Sequence, residues 1–174
     1  METEPDRFGR YTIVKLLGAG AMGRVFLAED PVLERRVALK IISVDPALDT
    51  RDRRDYVTRF AAEAKASAKL NHPSIVQVYD AGQEQGAPWI AFQYVEGESL
   101  EELIGKRGRL TIRRAVLFTL DIASALQQAH GWNIIHRDIK PANILVERAT
   151  GIAKIADFGI IQAPWAACGP CRCA

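Results

Sequence analysis

A chain of 174 residues, 48% hydrophobic and 25% charged, has room for one domain and enough apolar content to pack a core, which excludes a disordered polypeptide. A formal net charge of +2 gives no basis for a nucleic-acid or acidic-membrane partner. No apolar run is long enough to span a bilayer, Met1 to Asp6 is too acidic for a secretory signal, and all three cysteines fall in the last seven residues, so a cytoplasmic chain without a disulfide framework is expected.

In chain order, Tyr11 to Gly18, Arg24 to Ala28 and Arg36 to Ile42 read as three strands joined by tight turns. In the third, Val37, Leu39 and Ile41 share one face, and Ala38, Lys40 and Ile42 the other. Asp45 to Asp55 is polar and reads as a linker. A helix is expected over Tyr56 to Leu70, with Phe60, Ala64 and Ala68 as its packed stripe, stopped by Asn71-His72-Pro73. Ile75 to Tyr79 and Trp89 to Val95 read as two more strands. Ser99 and Glu102 form a capping box at the start of the next helix. Thr111 caps a longer one with the stripe Ile112, Val116, Leu120, Ala123 and Leu126, ending at Gly131. Ile144 to Glu147 and Ala153 to Ala156 are short strands around a turn at Gly151. Five strands with one inserted helix, then a helical region, predict an α+β fold of two lobes with a cleft between them, hinged near Gln93 to Gly97.

The chemistry-bearing residues fall in four groups. Gly18-Ala19-Gly20-Ala21-Met22-Gly23 joins two strands, and such glycines let backbone approach a phosphate. A dinucleotide fingerprint leads into a helix instead, so the strand Val25-Phe26-Leu27 argues against one. Lys40 alone is no more than a strand lysine, and Glu63 alone no more than a helix charge. Together they form a cation and carboxylate able to fix a grip on nucleotide phosphates. His136-Arg137-Asp138-Ile139-Lys140-Pro141-Ala142-Asn143 gathers a carboxylate, an amine and an amide on a segment that proline keeps from being a regular helix. Fourteen residues after Asn143, Asp157-Phe158-Gly159 supplies an anionic oxygen suited to Mg²⁺.

From about Tyr11 to Gly159 this ordered set resembles the eukaryotic-type protein kinases, most of all the bacterial Ser/Thr kinases of that superfamily. The resemblance implies a kinase-like two-lobe fold, with a five-stranded antiparallel sheet and one helix in the first lobe, and transfer of the ATP γ-phosphoryl group to protein Ser or Thr hydroxyls. It implies that Gly18, Gly20 and Gly23 cover the phosphates and that Lys40 contacts them while paired with Glu63. Asp138 is then the base that orients the substrate hydroxyl, Lys140 steadies the transferring group, and Asn143 and Asp157 hold Mg²⁺. Leu17, Val25, Ala38 and Leu145 sandwich the adenine, Phe92 is the gatekeeper, and the backbones of Gln93 and Val95 bond the adenine edge. ATP, Mg²⁺ and a protein substrate are the partners implied. Ser67, one turn after Glu63, departs from the family, which usually has an apolar residue there.

The resemblance divides the chain into a tail (1–10), a first lobe (11–94), a partial second lobe (95–161) and a segment unlike a kinase (162–174). After Gly159 a kinase continues with an activation segment, an Ala-Pro-Glu anchor and more helices. Ala163-Pro164 lies too close to Asp157 and is followed by Trp165, so it is not that anchor. Cys168, Cys171 and Cys173 are expected to form no folded zinc site, since structural zinc takes four ligands. These 174 residues alone are expected to bind Mg²⁺-ATP weakly and to transfer little; the competing reading is an ATP-binding fragment without transferase activity.

Overall fold

The computed structural model describes residues 7–20, 23–44 and 49–158. The expectations about the N-terminal residues 1–6, Gly159 and the segment 162–174, including its cysteines, lie outside them. The first half folds as an antiparallel sheet: β1 (Arg7–Phe8), β2 (Tyr11–Gly20), β3 (Gly23–Asp30), β4 (Arg35–Ile42), β5 (Val78–Glu84) and β6 (Ala87–Gln93), ordered β1-β2-β3-β4-β6-β5. The two-residue β1 adds an edge strand to the five expected.

Helix α1 (Thr50–Ser67) inserts between β4 and β5. It begins well before Tyr56, so the second half of the expected linker is helical. Asp49 is the reason: its side chain accepts from the backbone N–H groups of Arg51 and Asp52, both at 2.8 Å, and so caps two orphan donors. The buried stripe is Phe60, Ala64 and Ser67 rather than Ala68, which is the C-cap and exposed. Phe60 and Ala64 share a cluster with Ile42, Val78, Ile90 and Phe92, so α1 lies on the sheet face that carries Lys40 and Ala38. On the opposite face Tyr11, Val37, Leu39 and Ala91 form a separate cluster.

The strand expected at Ile75 to Tyr79 is displaced to β5. Gly82, Gln83 and Glu84 look like loop residues, yet the turn Gln85-Gly86, with φ of 50° and 82°, has two positive-φ positions and closes a tight hairpin that extends pairing to Glu84 and Ala87. The displaced Ile75 instead bridges to Ile155 in the second half, with Val76 N–H donating to Ile155 O and Ile155 N–H to Ser74 O, each at 2.9 Å.

The second half carries β7 (Gly97–Ser99), α2 (Leu100–Arg107), α3 (Ile112–Gly131), a 3-10 turn (Pro141–Asn143), β8 (Ile144–Glu147) and β9 (Ala153–Ile155), with the sheet ordered β7-β8-β9. The capping box is complete: Ser99 Oγ accepts from Glu102 N–H and Glu102 Oε2 from Ser99 N–H. Thr111 caps α3 as expected. Of the stripe expected on α3 only Leu126 packs, half-buried against the cluster of Leu70, Ala125 and Ala129. Phe118, Ala125 and Ala129 are buried, while Ile112 is 86% and Leu120 60% exposed, and Val116 and Ala123 are exposed too. The helix is apolar on two sides, and the packed side is the one that meets Leu70, Ile155 and Phe158. Among the described residues no helix is long and apolar enough to cross a membrane.

Candidate active site

A cleft of about 410 Å³ opens between the two sheets. Its roof is Leu17 and Gly18 of β2, Val25 of β3, and Ala38 and Lys40 of β4; its floor includes Leu145 and Asn143; Phe92, Gln93 and Val95 form the back, and Asp157 lies at the inner end. Residues more than a hundred positions apart thus line one cavity. The sandwich follows from strand pairing: Val25 lies opposite Lys40, and Ala38 opposite Phe92. At the back, Gln93 N–H donates to Gln77 O at 2.8 Å, so of its backbone groups only the carbonyl is left for a ligand in the cleft.

Gly20, Gly23, Glu63, Asp138 and Lys140 are not cleft-lining residues. Gly20 and Gly23 face each other at the base of the β2–β3 turn. A Cβ on Gly18 or Gly20 would meet nothing within 4 Å, whereas on Gly23, at φ 134°, it would lie 2.1 Å from Ile41 O. The first two glycines leave open space; the third is required by the sheet. Glu63 stands half-buried on α1, and its carboxylate, after burial, contributes to raising the Tyr56 phenol pKa.

Lys40 is 8% exposed, and its Nζ lies 2.9 Å from Asp157 Oδ1. Asp157 reaches it from a left-handed backbone conformation, φ 55°, which Asp tolerates better than most residues. The peptide segment around it is held on several sides. Ala156 N–H donates to Asn143 O at 2.9 Å, and buried His136 is hydrogen-bonded through Nε2 to Ala156 O at 2.9 Å. His136 Nδ1 accepts from Asp138 N–H, so the ring carries its proton on Nε2, and its edge packs against Phe158 at 4.8 Å. One imidazole therefore ties the loop carrying Asp138 to the segment after β9 that carries Asp157. The sequence singles out His136 as part of a motif but does not reveal this role.

On the loop, Lys140 Nζ lies 2.8 Å from Asp138 Oδ2, and Asn143 Nδ2 donates to the same oxygen at 3.0 Å and to Asp138 O at 2.9 Å. With its amide nitrogen so used, Asn143 keeps its carbonyl oxygen as the atom able to face a cation. The hydrogen bond from Lys140 holds the Asp138 carboxyl below its ordinary value of 3.8, against the opposing effect of burial and with help from Asn143; the Lys140 ammonium is correspondingly raised. Because the folded pKa is the lower one, the pair contributes fully above pH 3.8 and is lost as pH falls through the folded value. An NMR titration should therefore place the Asp138 midpoint below 3.8 and return it toward 3.8 in Lys140→Met; an unchanged midpoint in the variant would contradict this assignment.

The opposite rim was not foreseen. Glu98, Ser99 and Glu102 line the cleft, and Glu98 is held by Lys106 at 2.6 Å. The capping pattern locates Ser99 and Glu102 on a helix start, but nothing in it says that this start faces a cavity.

The sequence matches the protein kinase domain family over residues 11–164, most of the chain. The chain belongs to the protein kinase family. It is 43% identical over 155 residues to the serine/threonine-protein kinase PrkC of Bacillus subtilis, covering 89% of this chain and 23% of that protein. It is 40% identical over 167 residues to PknB of Mycobacterium leprae, covering 94% of this chain and 26% of that one. Among solved structures the PknI kinase domain of Mycobacterium tuberculosis superposes with a TM-score of 0.76 at 34% identity, over 90% of this chain and 63% of that one. The chain thus spans about a quarter of these curated relatives and under two thirds of the PknI kinase domain. Its α+β fold, a curled antiparallel sheet above a smaller helical part, is that of the kinase family.

Proposed function

We propose that these residues form the ATP-handling part of a Ser/Thr protein kinase that moves the γ-phosphoryl group of ATP to protein hydroxyls. The observation that carries this reading is the convergence of Lys40 and Asp157 at the inner end of a cleft with apolar walls at Leu17, Val25, Ala38 and Leu145. Such walls suit a flat adenine, with the Gln93 carbonyl and Val95 backbone at its edge. Lys40 is placed to grip phosphates.

The donor set fits Mg²⁺. Among the described residues no three His, Cys, Asp or Glu side chains cluster, and Mg²⁺ needs no all-protein cage: one or two protein oxygens, phosphates and water satisfy it. Asp157 and Asn143 are the residues that would hold it, and the bound ion supplies charge neutralisation on the phosphates. Asp138, kept ionised by Lys140 and Asn143, orients the attacking hydroxyl and accepts its proton. Its lowered pKa makes it a weak base, so orientation is the larger part of its work. Lys140 turns from Asp138 to the transferring group, and Gly18 and Gly20 let backbone close over the phosphates. The cytoplasm, where ATP is abundant, is the compartment this reading requires.

Calorimetry with ATP should show binding strengthened by Mg²⁺, and Lys40→Met should weaken it about tenfold, the size of one charge-assisted hydrogen bond. Absence of nucleotide binding would defeat the reading. Transfer is a stricter matter, because positioning dominates it. A radiolabelled ATP assay beside Asp138→Asn decides: robust transfer that the substitution abolishes would show that these residues suffice.

A further inference from the structure

A net charge of +2 conceals an uneven distribution. Residues 103–120 contain Lys106, Arg107, Arg109, Arg113 and Arg114 and no Asp or Glu, so the rest of the chain is net acidic. The cations sit on the last turn of α2, the connection after it and the first turn of α3. Leu110 pins that connection by packing on the cluster of Leu103 and Phe118, which keeps them on one corner of the molecule. The fold accounts for three of them. Lys106 and Arg107 suit the negative end of the α2 dipole, and Lys106 also pairs with Glu98 at 2.6 Å. The Arg114 guanidinium lies over the Phe118 ring at 5.3 Å. Arg109 and Arg113 are exposed and, among the described residues, their side chains have no ion-pair or ring partner. Arg113 works against the fold: it stands in the first turn of α3, which has no acidic residue, and there a cation meets the positive end of the helix dipole. Arginine outnumbers lysine in the group, and its planar fork matches a carboxylate with two parallel bonds.

The corner lies close to the cleft. Ser99 and Glu102 at the start of α2 line it, and after the bond from Asp138, Glu101 contributes to raising the Lys140 ammonium, so this first turn faces the loop of Asp138. The 8 residues of α2 span about 12 Å, which about four extended residues cover. A short peptide with its hydroxyl at Asp138 therefore reaches the arginines. The same placement argues against an anionic bilayer or a nucleic acid. Glu98, Glu101 and Glu102 stand around the other end of the helix, and an extended polyanion would run onto them. A compact cationic corner bordered by carboxylates fits a short acidic segment.

We propose that Arg107, Arg109 and Arg113 form a docking surface for protein substrates that carry a run of Asp or Glu a few residues from the hydroxyl to be phosphorylated. This rests on the kinase reading of the cleft. Docking there raises the local concentration of the hydroxyl at Asp138 without a new contact at the reacting atoms. The test is fluorescence anisotropy at low salt with a labelled peptide carrying one serine and a run of glutamates, beside a peptide with lysines in their place. The chain is compared with Arg109→Glu/Arg113→Glu and with Arg51→Glu/Arg53→Glu, an equal change of charge at exposed residues of α1. Arg113→Glu suits the start of a helix, so lost binding does not reduce to unfolding. The glutamate peptide should bind, weaken about tenfold in the first variant, the effect of reversing two exposed charges, and stay within about twofold in the second. Mg²⁺-ATP affinity should be the same in both. Equal peptide affinity in the two variants, or tighter binding of the lysine peptide, overturns the proposal. So does binding of phosphatidylglycerol vesicles or single-stranded DNA in place of the peptide. If ATP does not bind while the glutamate peptide binds and the first variant weakens it, the kinase reading fails and the acidic-segment surface stands. If ATP binds and the peptide does not, the docking surface fails and the kinase reading stands.

Discussion

Asp157→Ala is expected to abolish the tightening of nucleotide binding by Mg²⁺ and to reduce any γ-phosphoryl transfer by a factor of 10³ or more, about 4 kcal/mol of transition-state stabilisation. Two losses combine. The carboxylate that would meet the metal is gone, and Lys40, 8% exposed, loses the anion 2.9 Å from its Nζ. A buried ammonium stripped of a partner costs several kcal/mol when the pair is fully enclosed. Here Asp157 is 41% exposed, so solvent screens the pair and a stability loss of about 1 kcal/mol is the reasonable magnitude. The two effects separate by measurement: urea unfolding reads the second, and nucleotide titration with and without Mg²⁺ reads the first. Retention of the full Mg²⁺ effect in Asp157→Ala would remove this residue from the metal site.

Gly23→Ala should be the most damaging single methyl in the first sheet. The added Cβ would stand 2.1 Å from Ile41 O, a backbone atom of the neighbouring strand that cannot move alone, and Gly23 has φ 134°. Strain of this kind costs about 1–3 kcal/mol and the steric overlap adds to it. The total, about 3 kcal/mol or more, is a large share of the roughly 5–15 kcal/mol that holds a domain together. Gly20→Ala makes the contrast. Its Cβ would meet nothing within 4 Å, so stability should change by less than about 1 kcal/mol while nucleotide affinity falls. Equal unfolding midpoints for the two variants would refute the separation of roles between these glycines.

The motif residues were legible because they depend on local rules. Strand alternation puts Lys40 with Ala38 on one face, proline keeps Asp138 and Asn143 off a regular helix, and the Ser99–Glu102 pattern marks a helix start. What escaped reading depends on contacts between distant segments. The periodicity of α3 reveals an apolar stripe but not which of two apolar sides another element covers, so Ile112 and Leu120 were placed inside and lie outside. The approach of Asp157 to Lys40 requires a positive φ that Asp permits but does not announce. Buried Lys154 is similar: its Nζ reaches Pro73 O at 2.7 Å, a cation satisfied by a turn from the other half of the chain.

The bonds of Ser74 and Val76 to Ile155 add a main-chain link between the two halves beside the covalent crossing at residues 94–97, and side-chain bonds from Ser124, Gln128 and Lys154 to residues 71–73 gather next to it. Two bodies fastened at two separate points keep a single easy motion, rotation about the line through the fastenings. Sliding or twisting of one sheet over the other must first break main-chain bonds of 2.9 Å. The motion that spares these main-chain bonds is therefore a swing of the jaws about that line, which would carry Lys40 toward or away from Asp157.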